Sequence, residues 1–395
     1  MTQFYPSDQY GFARLLTEAE RAALRRLRVV LDEKVRPVVN DYWDRGEFPE
    51  QIIDPLVELG MMNPVEVLAA GEKVRGLFAG FRNFEMARVD ASVVTFYNAQ
   101  SGLFRTTVSL GGSEAQVAEL DPRISSYEYK GVFALTEPEH GSDIAGGLET
   151  TAAFEPGADG GQWVINGAKR WIGGAAQADV LAVFARDTAD EQVKCFLVPT
   201  AAPGVGISKI ERKTSLRIMQ NADIELVDVR VAASSRLENI NSFTDVAACL
   251  RNMRSDVAWI ATGAAAGAYE AALKYVSGRS QFGKPLSSFQ LIQEKLASML
   301  TNVTASLAMV VSLTQAQDEG IYTDENSAMA KMFTARMLRE TAALAREVCG
   351  GNGIVLDYDV ARFHADAEAI YSYEGTDEIN ALILGRAITG IGAFR

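Results

Sequence analysis

The chain has 395 residues and a mass of 42.8 kDa, and at roughly 150 residues per domain this length predicts two or three domains with a sizeable core. Its 38 Lys and Arg residues against 51 Asp and Glu residues give a formal charge of −13, which disfavours non-specific binding to nucleic acid. Two histidines and three cysteines without a C-x-x-C pair exclude a His-rich metal centre and a thiolate zinc site, so we expect no metal.

The cysteine content and the first residues indicate a cytoplasmic protein. An odd number of scattered cysteines fits a reducing compartment better than a disulfide framework. Residues 1–11 are polar and aromatic, without the basic and apolar regions of a signal peptide. We take 257–269 as the longest stretch of low charge, and it is too short for the roughly 20 apolar residues that cross a bilayer. No membrane segment is therefore expected.

Residues 1–128 are predicted to form an all-α domain. Thr17 and Glu20 have the spacing of a capping box, in which two side chains satisfy main-chain N–H groups at a helix start. Apolar residues at helical spacing follow, and segments 78–89 and 93–109 lack the alternation of a strand.

Residues 129–240 are predicted to form a β-domain. Short runs of β-branched and aromatic residues alternate with clusters of Gly, Pro, Asp and Asn. These runs are 132–135, 163–165, 169–172, 180–184, 193–198 and 224–231. Asn166-Gly167 lies between two of them and predicts a hairpin, because a type I′ turn needs positive φ at both central residues.

Residues 241–395 are predicted to be helical again. Ala, Leu, Met, Glu and Lys, which favour helices, dominate the segments 245–278, 287–318, 325–350 and 376–388. The expected order along the chain is therefore an N-terminal all-α domain, a middle β-domain and a C-terminal α-helical bundle.

One segment places small polar groups at the end of a predicted strand. In 133–143, the hydroxyls of Thr136 and Ser142 and the main-chain N–H of Gly141 could donate hydrogen bonds to a ligand. An ordinary turn has the same composition, so this segment gains meaning only together with others.

Five such segments, in this order and spacing, resemble the acyl-CoA dehydrogenase family. They are 133–143, Trp171-Ile172-Gly173, 279–286 with Gln290, 349–353 and 371–376. The resemblance extends from about residue 85 to the C-terminus, and the run 373–394 is similar to the glutaryl-CoA dehydrogenase branch and to plant short-chain acyl-CoA oxidases. It implies the three-domain fold of that family, a homotetramer and the cofactor FAD.

The resemblance makes Glu374 the catalytic base. Removing a proton next to a thioester carbonyl at neutral pH needs a base whose pKa is raised, as desolvation does for a carboxylate. The resemblance also implies that the Glu374 main-chain N–H and a flavin ribityl hydroxyl polarise that carbonyl, and that flavin N5 accepts the β-hydride. From the residues alone, Glu374 could merely precede a helix capped by Thr376, with Asp377 and Glu378 at its positive end.

Further residues are assigned to FAD and to the substrate by the same resemblance. The FAD residues are Phe133, Leu135, Thr136, Gly141, Ser142, Trp171, Ile172, Gly173, Arg279, Gln281, Phe282, Gln290, Glu347, Gly350, Gly351, Thr376 and Glu378. The substrate residues are Ser142, Val94, Arg254, Gly375 and Arg386. Several of these residues have a plainer alternative: Arg279 as a solvated helix end, Gly350 and Gly351 as a helix C-cap, Arg254 as a buried ion-pair partner, and Val94 as a residue of a helix core. No Rossmann or P-loop glycine pattern is present.

Two positions depart from the family pattern. Glutaryl-CoA dehydrogenases hold the distal carboxylate of their substrate with an Arg where this chain has Val94, so a free dicarboxylate end would lack a partner. Most dehydrogenases of the family present a Thr or Ser hydroxyl to the flavin where this chain has Gly173. The plant short-chain oxidases also have Gly there, although the last residues 392–395 lack a peroxisomal Ser-Lys-Leu signal.

The resulting expectation is FAD-dependent α,β-dehydrogenation of a short- or medium-chain acyl-CoA to the trans-2-enoyl-CoA, with electron-transferring flavoprotein as partner. An acyl-CoA oxidase that passes electrons to O2 is the first alternative. A non-catalytic, flavin-holding, nucleic-acid-binding family member is the second, and the acidic charge argues against it.

Overall fold

Helices form both ends of the chain, and a sheet forms its middle. The computed structural model describes residues 4–157 and 160–392, so the end of the predicted C-terminal run, 393–395, lies outside the described residues. Two compact units result: a helical unit (Met1–Val94, Lys213–Ile218 and Arg254–Arg395) and a sheet unit (Thr95–Arg212 and Met219–Met253). The order helical, β, helical is confirmed, whereas the domain limits 1–128, 129–240 and 241–395 stay a prediction.

Short and medium helices precede the sheet. They are α1 (Glu18–Val30), α2 (Arg36–Arg45), α3 (Ile53–Glu58), α4 (Val65–Ala69), α5 (Gly76–Ala87), α6 (Ala91–Asn98), α7 (Arg105–Gly111) and α8 (Glu114–Ser125). The predicted capping box at α1 is confirmed, since Thr17 Oγ1 accepts from Glu20 N and Glu20 returns the bond to Thr17 N. A wider π-type turn over Ala99–Phe104 separates α6 from α7, so segment 93–109 is not one regular α-helix.

Seven strands form the sheet of the second unit in the part of the chain that the structure describes. They are β1 (Gly131–Ala134), β2 (Thr151–Glu155), β3 (Gln162–Gly173), β4 (Val180–Asp187), β5 (Val193–Pro199), β6 (Val205–Lys209) and β7 (Asn221–Ala232), with the short helix α9 (Ile144–Gly147) after β1. The order is β1-β4-β2-β3-β7-β6, and β5 pairs with β4. Strands β2 and β6 were not predicted, because Ala, Glu, Gly and Lys dilute their apolar alternation.

The predicted hairpin at Asn166-Gly167 is wrong. Both residues lie inside the continuous strand β3, where the pairing with β7 shifts register between Ile165 and Gly167. Gly167 has φ 149°, and a Cβ there would lie 2.5 Å from Thr150 Oγ1, so this irregularity requires glycine. Asn166 bonds across to Asp228 instead of forming a turn. The chain reverses between β2 and β3.

Strand β4 is buried on both faces. Alternate strand residues point to opposite faces, and Val180, Ala182 and Phe184 pack in one hydrophobic cluster while Leu181 and Val183 pack in another. This double burial explains the nearly unbroken apolar run of the strand. The ends of β1 and β3, which carry the predicted FAD residues of this unit, are thereby attached to a rigid sheet.

Long helices follow the sheet. They are α10 (Phe243–Gly278), α11 (Gln290–Asp318), α12 (Asp324–Val348), α13 (Val360–Ser372) and α14 (Asp377–Thr389), with a small hairpin of β8 (Ser280–Gln281) and β9 (Lys284–Pro285) before α11. Within the helical unit, α10 and α5 approach closely: a Cβ on Gly263 would lie 2.4 Å from the Phe84 carbonyl oxygen. Helix α13 was not among the predicted helical segments.

Helix α11 corrects one statement made from the sequence. Residues 296–317 carry no charge and form a longer stretch than 257–269. By length and composition, α11 is also the one helix of the described residues that could cross a membrane. Met299, Val303, Leu307 and Val310 are buried at helical spacing, as expected for a helix packed in a bundle. The absence of a membrane segment stays a prediction.

Candidate active site

Glu374 lies in a tight turn between α13 and α14. Its φ is 54° and that of Gly375 is 90°, so two successive residues have left-handed backbone. For a residue other than glycine this conformation is sparsely populated and costs of order 1–3 kcal/mol, and it concentrates at functional sites. Thr376 caps α14 by accepting from Ile379 N at 3.3 Å. The cap that was the alternative explanation of this segment therefore exists, and it fixes the turn that carries Glu374.

The carboxylate of Glu374 is in a desolvating environment. Loss of solvent around the group raises its pKa, while the positive charges of Arg254 and Lys331 act in the opposite direction and Asp256 adds to the increase. The net pKa is raised from the ordinary value for Glu. Part of the residue still reaches solvent, so protons can exchange with water. A partly desolvated carboxylate with raised pKa is suited to general base catalysis.

Three side chains that the sequence analysis did not single out hold this turn. Lys331 Nζ donates to the Tyr371 and Gly375 carbonyl oxygens at 2.7 and 2.8 Å, and Asn380 Nδ2 donates to Gly375 O at 2.9 Å. Arg336 forms a two-point ion pair with Asp377 at 2.9 and 2.6 Å. Lys331 could have been noticed, since it lies on the buried stripe of α12 with Ala328, Ala335 and Leu338, where a cation is unusual.

The predicted substrate residues are distributed unevenly in the helical unit. Arg254 is near enough to act electrostatically on Glu374. Gly375 directly follows Glu374 in the turn. Arg386 is exposed near the end of α14, about 14 Å along the helix axis from Asp377 at 1.5 Å per residue. Val94 is fully buried. The structure therefore brings Arg254 and Gly375 to Glu374 and leaves Arg386 apart.

Other predicted FAD residues of the helical unit lie on exposed surface. Arg279 and Gln281 belong to the segment around β8, Gln290 begins α11, and Phe282 at the hairpin tip is 94% exposed with φ 53°. Arg279 lines a cavity of about 340 Å³ together with Lys274, Tyr275 and Asn352. Asp357 and Asp359 line it as well, so two carboxylates offset the two cations of this cavity.

The segment at the end of α12 has the geometry of a helix end. Gly350 follows the last helical turn with φ 58°, as a glycine does after a C-cap. Gly350 and Gly351 are exposed, and no atom lies within 4 Å of a Cβ built on either. Glu347 is exposed and pairs with Lys295 at 3.1 Å. Glu378 is exposed in the first turn of α14. Their predicted contacts with FAD stay predictions.

In the sheet unit, the ends of β1 and β3 bring several predicted residues together. Arg170 N donates to Thr136 O at 2.8 Å, which places the turn after β1 beside Trp171. Trp171 has φ 65° and is 51% exposed, while Gly141 and Ser142 are exposed in the adjoining loop. By contrast, the side chains of Leu135 and Ile172 are buried in the two hydrophobic clusters, and Phe133 packs against Phe184.

A buried ion pair fixes this region. Lys169 Nζ donates to Glu137 Oε1 at 2.7 Å and to Leu135 O at 3.1 Å. Glu137 also accepts from the main-chain N–H groups of Glu149 and Thr150. Desolvation lowers the pKa of Lys169 to about 8, whereas Lys169 and these donors lower that of Glu137 against the effect of burial. The pair closes the base of the loop that carries Thr136, Gly141 and Ser142.

At Gly173 the space for a side chain is occupied. A Cβ on this residue would lie 2.3 Å from Met219 Cε and 3.5 Å from Asn221 Nδ2. Met219 is buried, with 1% of its surface exposed. A Ser or Thr at 173 would therefore require the flexible end of Met219 to move. The glycine at 173, where most dehydrogenases of the family have Ser or Thr, is thus accompanied by a methionine at 219 that fills the space of the missing side chain.

Comparison with known proteins decides the family. The chain matches the acyl-CoA dehydrogenase N-terminal domain over residues 17–128, the middle domain over 132–229 and the C-terminal domain over 243–389. It belongs to the acyl-CoA dehydrogenase family. The expected fold class is confirmed with it, and the chain is a family oxidoreductase.

Individual relatives cover nearly the whole acyl-CoA dehydrogenase chain. A 3-(aryl)acrylate reductase of Clostridium sporogenes is 31% identical over 93% of this chain and 98% of its own. The CarC subunit of the caffeyl-CoA reductase-Etf complex of Acetobacterium woodii is 29% identical over 89% of this chain and 93% of its own. The structure of a glutaryl-CoA dehydrogenase from Mycobacterium smegmatis in complex with FADH2 is 31% identical, with a TM-score of 0.90 over 99% of this chain and all of that one.

FAD is the cofactor of this family, and the residues present fit it. The half-exposed Trp171 offers an aromatic surface next to the turn of Thr136, whose carbonyl accepts from Arg170 N, and to the exposed loop of Gly141 and Ser142, which suits a ring system with polar edges. No group of three or more metal-ligating side chains occurs among residues 4–157 and 160–392.

Proposed function

We propose that this family member catalyses the α,β-dehydrogenation of a short- or medium-chain acyl-CoA to the trans-2-enoyl-CoA, with Glu374 as the base. The observation that carries the proposal is the carboxylate of Glu374, which is desolvated, has a raised pKa and is presented on a strained, firmly held turn. Structural turns have no need of such a carboxylate, whereas proton abstraction next to a thioester does.

The protein's own groups account for the proton chemistry. Glu374 takes the proton from C2 of the acyl group, and its main-chain N–H is the donor that polarises the thioester carbonyl in the proposal. Bound FAD supplies the acceptor for the hydride that leaves C3. Arg254 keeps positive charge near the base, which favours the ionised carboxylate against the effect of desolvation.

The substrate is proposed to carry an unsubstituted acyl chain. Val94 is fully buried and apolar, and it replaces the Arg expected where a distal carboxylate must be held. Leaving such a carboxylate buried without a partner costs several kcal/mol. Glutaryl-CoA is therefore disfavoured, although a relative of similar fold is a glutaryl-CoA dehydrogenase. Ser142 and Arg386 are proposed to contact the CoA portion.

Electron-transferring flavoprotein is the proposed partner, and a cytoplasmic homotetramer without membrane attachment is the proposed state. The name of the CarC relative records a complex with Etf, which supports this partner. Two relatives are named reductases. In that direction, Glu374 would return the proton to C2, because the same group must act in both directions.

An acyl-CoA oxidase is the second candidate. Gly173 provides no hydroxyl near the proposed flavin site, and Met219 occupies the space of its side chain. The proposal of an oxidase rests on this missing hydrogen-bond donor, whose loss would ease the reaction of the reduced cofactor with O2.

Anaerobic titration separates these functions. The purified protein is titrated with butyryl-CoA, octanoyl-CoA and glutaryl-CoA while the visible flavin band is followed, and air is then admitted. Bleaching by a saturated acyl-CoA that persists in air supports the dehydrogenase and ranks its substrates. Rapid return of colour with formation of peroxide supports the oxidase. Absence of bleaching by all three thioesters contradicts the proposal.

A further inference from the structure

Lys331 is a buried cation with unusual partners. Its side chain has no exposed surface, and its ammonium donates to the Tyr371 and Gly375 carbonyl oxygens at 2.7 and 2.8 Å. Transfer of an ammonium into such a site is costly unless opposite charge or dipoles compensate it. The cost is visible in the pKa of Lys331, which desolvation lowers to about 8. Because burying this ammonium costs free energy, Lys331 needs an explanation other than filling space in the core.

The two carbonyl groups that Lys331 contacts lie on either side of Glu374. Tyr371 is near the C-terminal end of α13, and Gly375 directly follows Glu374. A single ammonium therefore joins the end of one helix to the strained turn. The Gly375 carbonyl also accepts a hydrogen bond from the neutral Asn380 Nδ2 at 2.9 Å. This carbonyl is therefore held by one charged and one uncharged side chain.

Charged groups from three helices face this turn. Helix α10 contributes Arg254 and Asp256, and α12 contributes Lys331. Helix α14 contributes Asp377 and Glu378, which act on Lys331 together with Glu374. Arg336 of α12 forms the two-point ion pair with Asp377. The positive charges that act on the Glu374 carboxylate are therefore those of Arg254 and Lys331.

We propose that Lys331 is a positioning residue for the base: its ammonium fixes the turn of Glu374 and Gly375 and places a positive charge near the carboxylate. This inference rests on the proposed function of Glu374. A plainer role is also available to Lys331, since a cation at the C-terminal end of α13 stabilises the helix dipole. That role alone predicts lower stability on substitution and no change in the titration of Glu374.

The test compares charge removal with donor removal. Lys331→Met removes the charge and both hydrogen bonds, Lys331→Gln keeps an N–H donor without charge, and Asn380→Ala removes a neutral donor to the Gly375 and Thr376 carbonyl oxygens. For each holoenzyme, the rate of anaerobic flavin reduction is measured against pH with the best substrate of the titration above. Both Lys331 variants should move the midpoint of the rising acidic limb to higher pH by up to about one unit, because they remove a positive charge that lowers the pKa of Glu374. Asn380→Ala should lower the rate without moving this midpoint.

A second readout needs no catalysis. A Lys whose pKa falls to about 8 on folding binds fewer protons in the folded state than in the unfolded state between pH 8 and its ordinary value of 10.5. Its contribution to stability therefore rises with pH across this window. The Tm of the wild type minus that of Lys331→Gln should increase from pH 8 to pH 10, and the corresponding difference for Asn380→Ala should not.

The outcomes separate this inference from the proposed function. If Glu374→Gln still reduces its flavin at the wild-type rate, Glu374 is not the base and both proposals fail. If Glu374→Gln is inactive but the Lys331 variants keep the wild-type midpoint, only the role of Lys331 is overturned. A shifted midpoint in both Lys331 variants, with an unshifted one in Asn380→Ala, supports it.

Discussion

Two buried lysines, one in each unit, show how similar groups can serve different purposes. Lys169 and Lys331 are both fully inaccessible, and desolvation lowers the pKa of each to about 8. Lys169 donates directly to the Glu137 carboxylate at 2.7 Å. Lys331 instead donates to two main-chain carbonyls, and its charge acts on the Glu374 carboxylate without a hydrogen bond between the two side chains among those described.

The carboxylates respond in opposite ways. The pKa of Glu137 is lowered, because direct contact with Lys169 and further donors outweighs burial. The pKa of Glu374 is raised, because desolvation outweighs the charges of Arg254 and Lys331. A closed ion pair makes a carboxylate a poor base and a good structural element. A carboxylate whose cations stay at a distance keeps the proton affinity that general base catalysis needs.

The largest expected effect is on catalysis by Glu374. Glu374→Gln should slow anaerobic flavin reduction by about 10²- to 10⁴-fold, the usual contribution of a general base, with the FAD content unchanged. Stopped-flow absorbance of the flavin band measures this rate. Glu340→Gln, an exposed residue on α12, is the matched control and should reduce its flavin at the wild-type rate.

The next largest effect is expected at the closed pair. Lys169→Met leaves the Glu137 carboxylate buried without its cation and should lower the free energy of unfolding by about 3–5 kcal/mol. Chemical denaturation measures the loss. The double variant Lys169→Met with Glu137→Gln should lose less than the single variant, and an equal or larger loss would argue against a direct charge interaction.

Stability should change with opposite sign at the two carboxylates. A raised pKa means that ionising Glu374 costs stability as the pH rises through the window from about 4.5 upward, so Glu374→Gln should raise the Tm at pH 7.5. A lowered pKa means that ionised Glu137 contributes stability above about 4.5, so Glu137→Gln should lower the Tm. Scanning calorimetry at pH 7.5 measures the change in Tm of each variant. Changes of the same sign would contradict the difference between the two carboxylates.

The smallest effect is expected at an exposed ion pair between β2 and β7. Arg230 and Glu155 are 49% and 48% exposed in this pair, and exposed pairs contribute about 0.2–1 kcal/mol. Arg230→Met should therefore lower the free energy of unfolding by less than about 1 kcal/mol in chemical denaturation. A loss as large as that of Lys169→Met would show that exposure does not separate the two kinds of pair.

The sequence predicted most of the architecture because its signals are local. The capping box of Thr17 and Glu20 and the apolar run 180–184 of β4 follow from neighbouring residues, and the structure confirms both. The hairpin at Asn166-Gly167 failed because the same dipeptide fits a strand irregularity, where pairing with β7 and the closeness of Thr150 decide the backbone. Tertiary pairing overrode a local turn signal there.

The candidate site was predicted in part. The position of Glu374 followed from the family motif, and its raised pKa agrees with the expected chemistry. Lys331 and Asn380 were missed because their role depends on where α12 and α14 meet the turn, which no short-range spacing records. Met219 was missed at Gly173 for the same reason, since 46 positions separate the two in sequence.

The most direct test of the central claim is hydrogen exchange at C2 of the acyl group. Acyl-CoA is incubated anaerobically in D2O with the wild type or with Glu374→Gln, each carrying FAD, and deuterium at C2 is measured by mass spectrometry. The wild type should incorporate deuterium, and Glu374→Gln should incorporate about 10²- to 10⁴-fold less per unit time. Exchange at the wild-type rate in Glu374→Gln would contradict the assignment of Glu374 as the base.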